Sequence, residues 1–143
     1  MTVAYDPNNI FAKILRGEIP CEKVFEDEAV LAFMDVMPRA DGHVLVVPKA
    51  TARGLLDIAP EALSALILRV QKIARAVKKG MGAEGITVHQ FNEPAGGQSV
   101  FHIHFHVIPR WEGEVLRAHG GQMADGATLK AHADKIRAAL TEA

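Results

Sequence analysis

An α+β fold built on a mostly antiparallel sheet is what this chain predicts, and three observations predict it. Apolar runs of strand length, separated by turn residues, fill positions 21 to 49 and recur from Gly85. One stretch after Pro60 carries apolar residues at three- and four-residue steps. From Phe101 to Val107, polar and apolar residues alternate strictly. Together they give a five-stranded sheet with a short N-terminal helix, one long central helix and a C-terminal helix. The 143 residues fit a single domain, 1–143, with a motif-bearing core at about 8–111 and an extension at 112–143.

Each element has its own signal. Asn8 or Asn9 caps a short helix starting near Ile10, with Phe11, Ile14 and Leu15 on its apolar face and Gly17 at its end. Cys21 to Glu26 and Ala29 to Asp35 are strands joined by the turn Asp27-Glu28, which makes a hairpin. Asp35 ends its run, where a strand delivers a side chain to a rim. Pro38 to Gly42 is a loop. His43 to Lys49 is a third strand, whose continuous apolar run predicts burial on both faces, and Pro48 ends it or marks an edge.

From Pro60, a helix presents Ala62, Leu63, Leu66, Ile67, Val70, Ile73, Ala74 and Val77 on one stripe. Arg75, Lys78 and Lys79 complement the dipole of its last turns, and Gly80 and Gly82 stop it. Gly85 to Phe91 is a fourth strand. Glu93 to Ser99 is a glycine-rich loop that runs straight into the alternating stretch. After Trp111 the chain turns polar and irregular until a helix from about Thr128, with Leu129, Ala133, Ile136 and Leu140 on its stripe.

Composition excludes several classes. A net charge of −1 gives no strong field for nucleic acid or an anionic membrane. No run reaches transmembrane length, and Met1 to Asp6 lacks a signal-peptide pattern. The lone Cys21 excludes an internal disulfide framework and a cysteine zinc finger. A reducing, cytoplasmic setting suits these features.

The alternating stretch carries the chemistry. On a strand, Phe101, Ile103, Phe105 and Val107 share one face, and His102, His104 and His106 share the other. A merely solvated face needs no row of imidazoles. Imidazole supplies a nucleophile, an acid or base near neutral pH, or a metal ligand. A metal reading has two histidines at i and i+2, but the segment offers no carboxylate, and Glu93 is the nearest acid. A phosphoryl reading uses more of the sequence. The Gly96-Gly97-Gln98-Ser99 loop can turn backbone N–H groups toward an anion, with the Ser99 hydroxyl as a further donor. At pH 7, about three quarters of free imidazole is neutral and can attack phosphorus, given control of its tautomer.

The stretch from His102 to Ile108 resembles the histidine-triad (HIT) motif, His-x-His-x-His followed by apolar residues. The resemblance extends to Asn9–Ile14 with Gly17–Pro20, to Phe33–Pro38, to Gly42–Lys49, and to Asn92-Glu93 with Gly96–Val100, so residues 8 to 111 are covered. It implies a HIT-like fold and a nucleotide hydrolase or transferase acting at the α-phosphate. It implies His104 as the nucleophile that becomes nucleotidylated, His106 on the phosphate oxygens, His102 supporting the array, and His43 beside the triad. Ser99, Asn92, Gln98 and Gly97 would hold the phosphate, and Asp35 the ribose hydroxyls. Ile10, Phe11, Phe33 and Val36 would line the base pocket, although each also suits a core.

The resemblance further implies a purine nucleotide substrate and a homodimer that joins two sheets edge to edge. It implies no metal at the nucleophile, with Mg²⁺ arriving only on polyphosphate substrates. Asn9 and Ala12 stand where some bacterial members carry a Cys-x-x-Cys zinc pair, so a structural zinc is not expected. Ile108-Pro109-Arg110-Trp111 is similar to the branch with dinucleoside polyphosphate hydrolases, which leaves phosphoramidates and polyphosphates both open as substrates. Trp111 suits closure over a substrate, a surface position or a dimer contact. A nucleotide-binding regulatory or scaffold protein with little turnover is the competing class.

Overall fold

The computed structural model describes residues 3–118 and 120–141. Met1, Thr2, His119, Glu142 and Ala143 belong to the expected domain span but lie outside the described residues. In chain order the elements are α1 (Ile10–Leu15), β1 (Lys23–Glu26), β2 (Val30–Met34), β3 (Val44–Pro48), α2 (Pro60–Gly80), β4 (Gly85–His89), β5 (Phe105–Arg110) and α3 (Gly126–Thr141). A 3₁₀ turn covers Pro94–Gly96. The five strands form one sheet in the order β1-β2-β3-β5-β4, and every neighbouring pair is antiparallel. The expected α+β architecture is therefore present.

Local chemistry accounts for the boundaries. The Asn9 side chain accepts a hydrogen bond from the Ala12 amide at 2.9 Å, which caps α1. Gly17, at φ +78°, carries the chain out of it. Both β2 and β3 are buried at every position, as an apolar run in the middle of a sheet demands.

The pleat sorts the sheet into two faces. Val30, Ala32, Met34, Val44, Val46, Phe105 and Val107 join Leu66, Val70, Ile73 and Val77 of α2 and Leu129, Ala133 and Ile136 of α3 in the main core. Burying each such aliphatic side chain contributes about 1.5–3 kcal/mol. On the other face, Leu31, Phe33, Leu45 and Val47 pack with Phe11 of α1. Arg69 of α2 ties the helix to the β1–β2 turn by donating to Asp27 and Glu28 at 2.9 and 3.0 Å. Where α2 ends, a Cβ on Gly80 would stand 2.7 Å from the Lys135 carbonyl oxygen of α3.

Three expectations change. The strand predicted from Phe101 begins only at Phe105. Residues 101 to 104 are irregular because the backbone there turns away from β3, and the Ile103 amide donates instead to the Ala52 carbonyl at 2.9 Å. Phe101 therefore leaves the core face and is covered by the Arg53 guanidinium, 4.2 Å from its ring centre. On α2, Ile67 is 45% exposed while Ala76 is buried, because α3 covers a band offset from the expected stripe. The first and fourth strands are also shorter than expected, since pairing starts at Lys23 and ends at His89.

Candidate functional site

The histidines occupy the sheet face opposite α2 and α3. His106 lies across from Leu45 of β3 and His89 of β4, so these side chains share that face. His104 and His106 are each 5% exposed, and their rings meet at 5.0 Å. The Phe11 ring of α1 stands edge-on to its neighbours, its centre 4.8 Å from that of His104 and 5.5 Å from that of Phe33.

Hydrogen bonds fix the tautomer of each ring. His104 Nδ1 is 2.7 Å from the His102 carbonyl oxygen. A carbonyl only accepts, so Nδ1 carries the hydrogen and Nε2 keeps its lone pair. That is the protonation pattern a nucleophilic imidazole needs. His102 Nε2 donates to the Pro48 carbonyl at 2.8 Å, and its Nδ1 meets the Tyr5 hydroxyl at 2.6 Å. Burial pushes the His102 pKa down, against a smaller upward pull from the Pro48 carbonyl, so the ring stays neutral at pH 7.

His43 and His106 form a second relay. The Arg39 amide donates to His43 Nδ1 at 3.0 Å, which leaves the His43 hydrogen on Nε2. That nitrogen lies 3.0 Å from His106 Nδ1 and 3.5 Å from Asp35 Oδ2. His106 thus accepts at Nδ1 and carries its own hydrogen on Nε2, a donor on the same face as the His104 lone pair. Asp35 sits at the end of β2, half-buried, and its Oδ1 accepts from the Met37 amide at 2.9 Å.

The glycine-rich loop is a braced structure. Glu93 adopts φ +65°, an uncommon value for a side-chain-bearing residue. Arg53 grips its carboxylate with two bonds, at 2.7 and 3.1 Å. Gln98, 5% exposed, accepts from the Glu93 amide and donates to the carbonyls of Arg53 and Val100. Its side chain shapes the loop from inside. Gly97 takes the left-handed φ of +95°, and Ser99 is exposed where the loop returns to the histidines. Asn92 accepts from the Leu55 amide at 2.7 Å and exchanges hydrogen bonds with Gln90. A Cβ on Gly54 would stand 2.6 Å from Asn92 Oδ1, so a side chain there would displace the Asn92 amide from its place on the Leu55 amide.

The candidate base-pocket residues divide. Phe11 and Phe33 are buried, while Ile10 and Val36 are 47% and 44% exposed. The segment after Trp111 returns to this side: Ala124 donates to the Val36 carbonyl, and Arg117 and Arg39 pair through main-chain atoms and a guanidinium. Trp111 itself donates to the Gly82 carbonyl at 3.1 Å, packing on the turn after α2.

Asp35, His43 and His106 bring ligand atoms within 4.8 Å of one another, a grouping the sequence does not display. The hydrogen bonds fit a cation poorly. A metal on His43 Nε2 would move the hydrogen to Nδ1, against the amide N–H of Arg39. Glu93, the acid nearest the triad in sequence, is held by Arg53. At the positions of the zinc cysteines, Asn9 caps α1 and Ala12 is buried. Tyr5, Arg53 and Gln90 escaped the sequence reading, since each is an isolated residue outside any pattern.

Comparison with known proteins places this geometry. Residues 16–113 match the family model of the HIT domain. The chain is 40% identical over 130 residues to the hit protein of Bacillus subtilis, covering 91% of this chain and 84% of that one. It is 37% identical over 116 residues to an adenylylsulfatase of Arabidopsis thaliana, covering 77% of this chain and 59% of that one. A Hit-like protein of Bartonella henselae involved in cell-cycle regulation has a solved structure with a TM-score of 0.90 at 55% identity, covering 95% of this chain and 99% of that one. A zinc-bound histidine triad family protein of Mycobacterium smegmatis gives 0.83 at 34% identity, covering 94% of each chain.

Proposed function

This chain belongs to the HIT family, whose members are generally nucleotide hydrolases or transferases, an adenylylsulfatase among its relatives, and we propose that it cleaves purine nucleotides at the α-phosphate through a nucleotidyl-His104 intermediate. The bond from His104 Nδ1 to the His102 carbonyl carries this reading, because it leaves Nε2 as a lone pair facing away from the strand. Nε2 attacks phosphorus, and the bond from phosphorus to the leaving group breaks. The leaving group departs with the electron pair and takes a proton from solvent, which the water of the second step returns as its oxygen bonds to phosphorus and the phosphorus–nitrogen bond breaks. Water then attacks the same phosphorus, releasing the nucleotide and restoring the imidazole.

The remaining residues take roles that their places support. His106 Nε2–H donates to a phosphoryl oxygen, and the His43 relay holds it in that tautomer. Ser99 and the Gly97 amide complete the phosphate cradle, while Gln98 and Asn92 hold the cradle's shape. The Asp35 carboxylate, placed at the end of β2, accepts from the ribose hydroxyls. Ile10 and Val36 flank the base, over Phe11 and Phe33. No metal is assigned to the nucleophile; Mg²⁺ would accompany polyphosphate substrates only. A phosphoramidate, a mixed anhydride such as an adenylyl sulfate, or a dinucleoside polyphosphate all meet these requirements.

A homodimer through β4 is part of the proposal. β4 is an edge strand, and Val88 on it and Leu68 on α2 are 45% and 62% exposed. The covalent step is tested by quenching a reaction with a nucleotide labelled at its α-phosphate. An acid-labile label on the protein, missing from His104→Ala, is expected. Turnover by His104→Ala at the wild-type rate would end the proposal.

A further inference from the structure

The tautomer of His104 depends on the His102 carbonyl, and that carbonyl lies outside the sheet's hydrogen-bond ladder. Pairing of β5 with β3 begins at Phe105, so residues 101 to 104 are not oriented by strand partners. The main chain there is held by the Ile103 amide on Ala52 and by the His102 ring, which is anchored at both nitrogens. We infer that Tyr5 is a positioning residue for the nucleophile, its hydroxyl setting the His102 ring and, through the His102 carbonyl, the tautomer of His104.

The direction of every bond supports this chain of control. The Pro48 carbonyl takes the His102 Nε2 hydrogen at 2.8 Å, so His102 Nδ1 is an acceptor. Tyr5 Oη, 2.6 Å away, must then donate to it. Asn9 Nδ2 donates to the same hydroxyl at 3.0 Å, which occupies an oxygen lone pair and leaves the hydrogen to point at His102. Asn9 is itself fixed by capping α1 through the Ala12 amide. The tyrosine ring stands edge-on to the imidazole, 5.7 Å between centres at 70°. Burial of His102 keeps its ring neutral and able to accept. The inference deepens the proposed function and rests on it for its catalytic consequence, but the ring-to-ring linkage is observable without turnover.

Two variants test it in the full chain. Tyr5→Phe keeps the ring and removes the hydroxyl. Because the chain has a single tyrosine, growth on 3-fluorotyrosine alters the acidity of this hydroxyl alone and leaves the fold in place should Tyr5→Phe not fold. Ring-nitrogen NMR on isotope-labelled histidine is expected to show the His102 Nδ1 signal move in both proteins. In Tyr5→Phe, the His104 Nδ1 hydrogen should exchange with solvent about tenfold faster. With adenosine phosphoramidate as substrate, kcat should fall about tenfold while KM stays within twofold. Unchanged His102 and His104 ring signals in both proteins would overturn the inference, as would a loss confined to KM. If the wild-type chain turns over no nucleotide, the proposed function fails, and the ring signals still decide whether Tyr5 controls the two histidines.

Discussion

The two faces of this sheet are cut from the same strands yet built of different material. Toward α2 and α3, alternate residues of β2, β3 and β5 are Val, Ala, Met and Phe, almost all with no accessible surface. On the reverse, the same strands present Leu31, Phe33 and Leu45 beside His104 and His106. One face is changed chiefly through volume, because its buried side chains among the described residues are apolar. The other is specified by direction, since the ring nitrogens of His43, His102, His104 and His106 have assigned roles as donor or acceptor. The pleat lets a chain of this size keep packing and chemistry one residue apart.

Substitutions on the two faces should therefore fail differently. The largest effect is expected from His104→Ala, with turnover down at least about a thousandfold and little change in melting temperature. Steady-state kinetics with calorimetry on the same sample checks it, and the two faces are not separable if stability falls along with rate. Next is Ile73→Ala, which removes a fully buried side chain from the helix face. It should cost about 2–5 kcal/mol in a denaturant titration, with kcat per folded molecule unchanged.

His43→Ala comes third. It strips His106 Nδ1 of its donor, and a buried group losing a partner costs about 1–3 kcal/mol. Turnover should drop roughly ten- to a hundredfold, with AMP affinity measured by calorimetric titration nearly retained. A wild-type rate in this variant would remove His43 from the site.

The smallest effect is a pH dependence to which the histidine face contributes. The folded pKa of His102 lies below the ordinary value of about 6.5, because burial resists its charge more than the Pro48 carbonyl favours it. Burial and the positive charges of Arg39 and Arg110 lower His89 in the same direction. Between the lowered value and about 6.5, the unfolded chain binds more protons than the folded one. Stability therefore rises with pH through this window and is lost as pH falls below about 6.5. Melting temperatures from pH 7.5 to 5 should decline, and less so in His102→Gln. An identical decline in that variant would assign the effect to other groups.

Much of the helix face was legible in the sequence because apolar spacing encodes it directly. The runs Val30–Met34 and Val44–Pro48 and the stripe from Leu66 to Val77 needed only periodicity. Ile67 was misread because three- and four-residue steps do not say where a second helix will lie. On the other face, the pattern picked out His102, His104 and His106, but extending the strand back to Phe101 assumed ladder pairing that Ile103 gives instead to Ala52. The loop brace of Arg53 on Glu93, the Tyr5–His102 bond and the return of Ala124 to Val36 span 40, 97 and 88 positions. Single polar residues meeting at such distances leave no local periodicity to detect.

The contact at Gly80 reaches further than its size suggests. The last turn of α2 meets the backbone of α3 there with no room for a methyl group, so this one position gauges the spacing of the two helices. Arg137, one residue past that crossing, fastens α3 to the Lys23 carbonyl and the Glu22 carboxylate at the start of β1. A side chain at position 80 would act as a wedge whose thrust passes along α3 to the sheet's outer strand. The far margin of the molecule would shift while the imidazoles, on the opposite side of the sheet, stayed where they are.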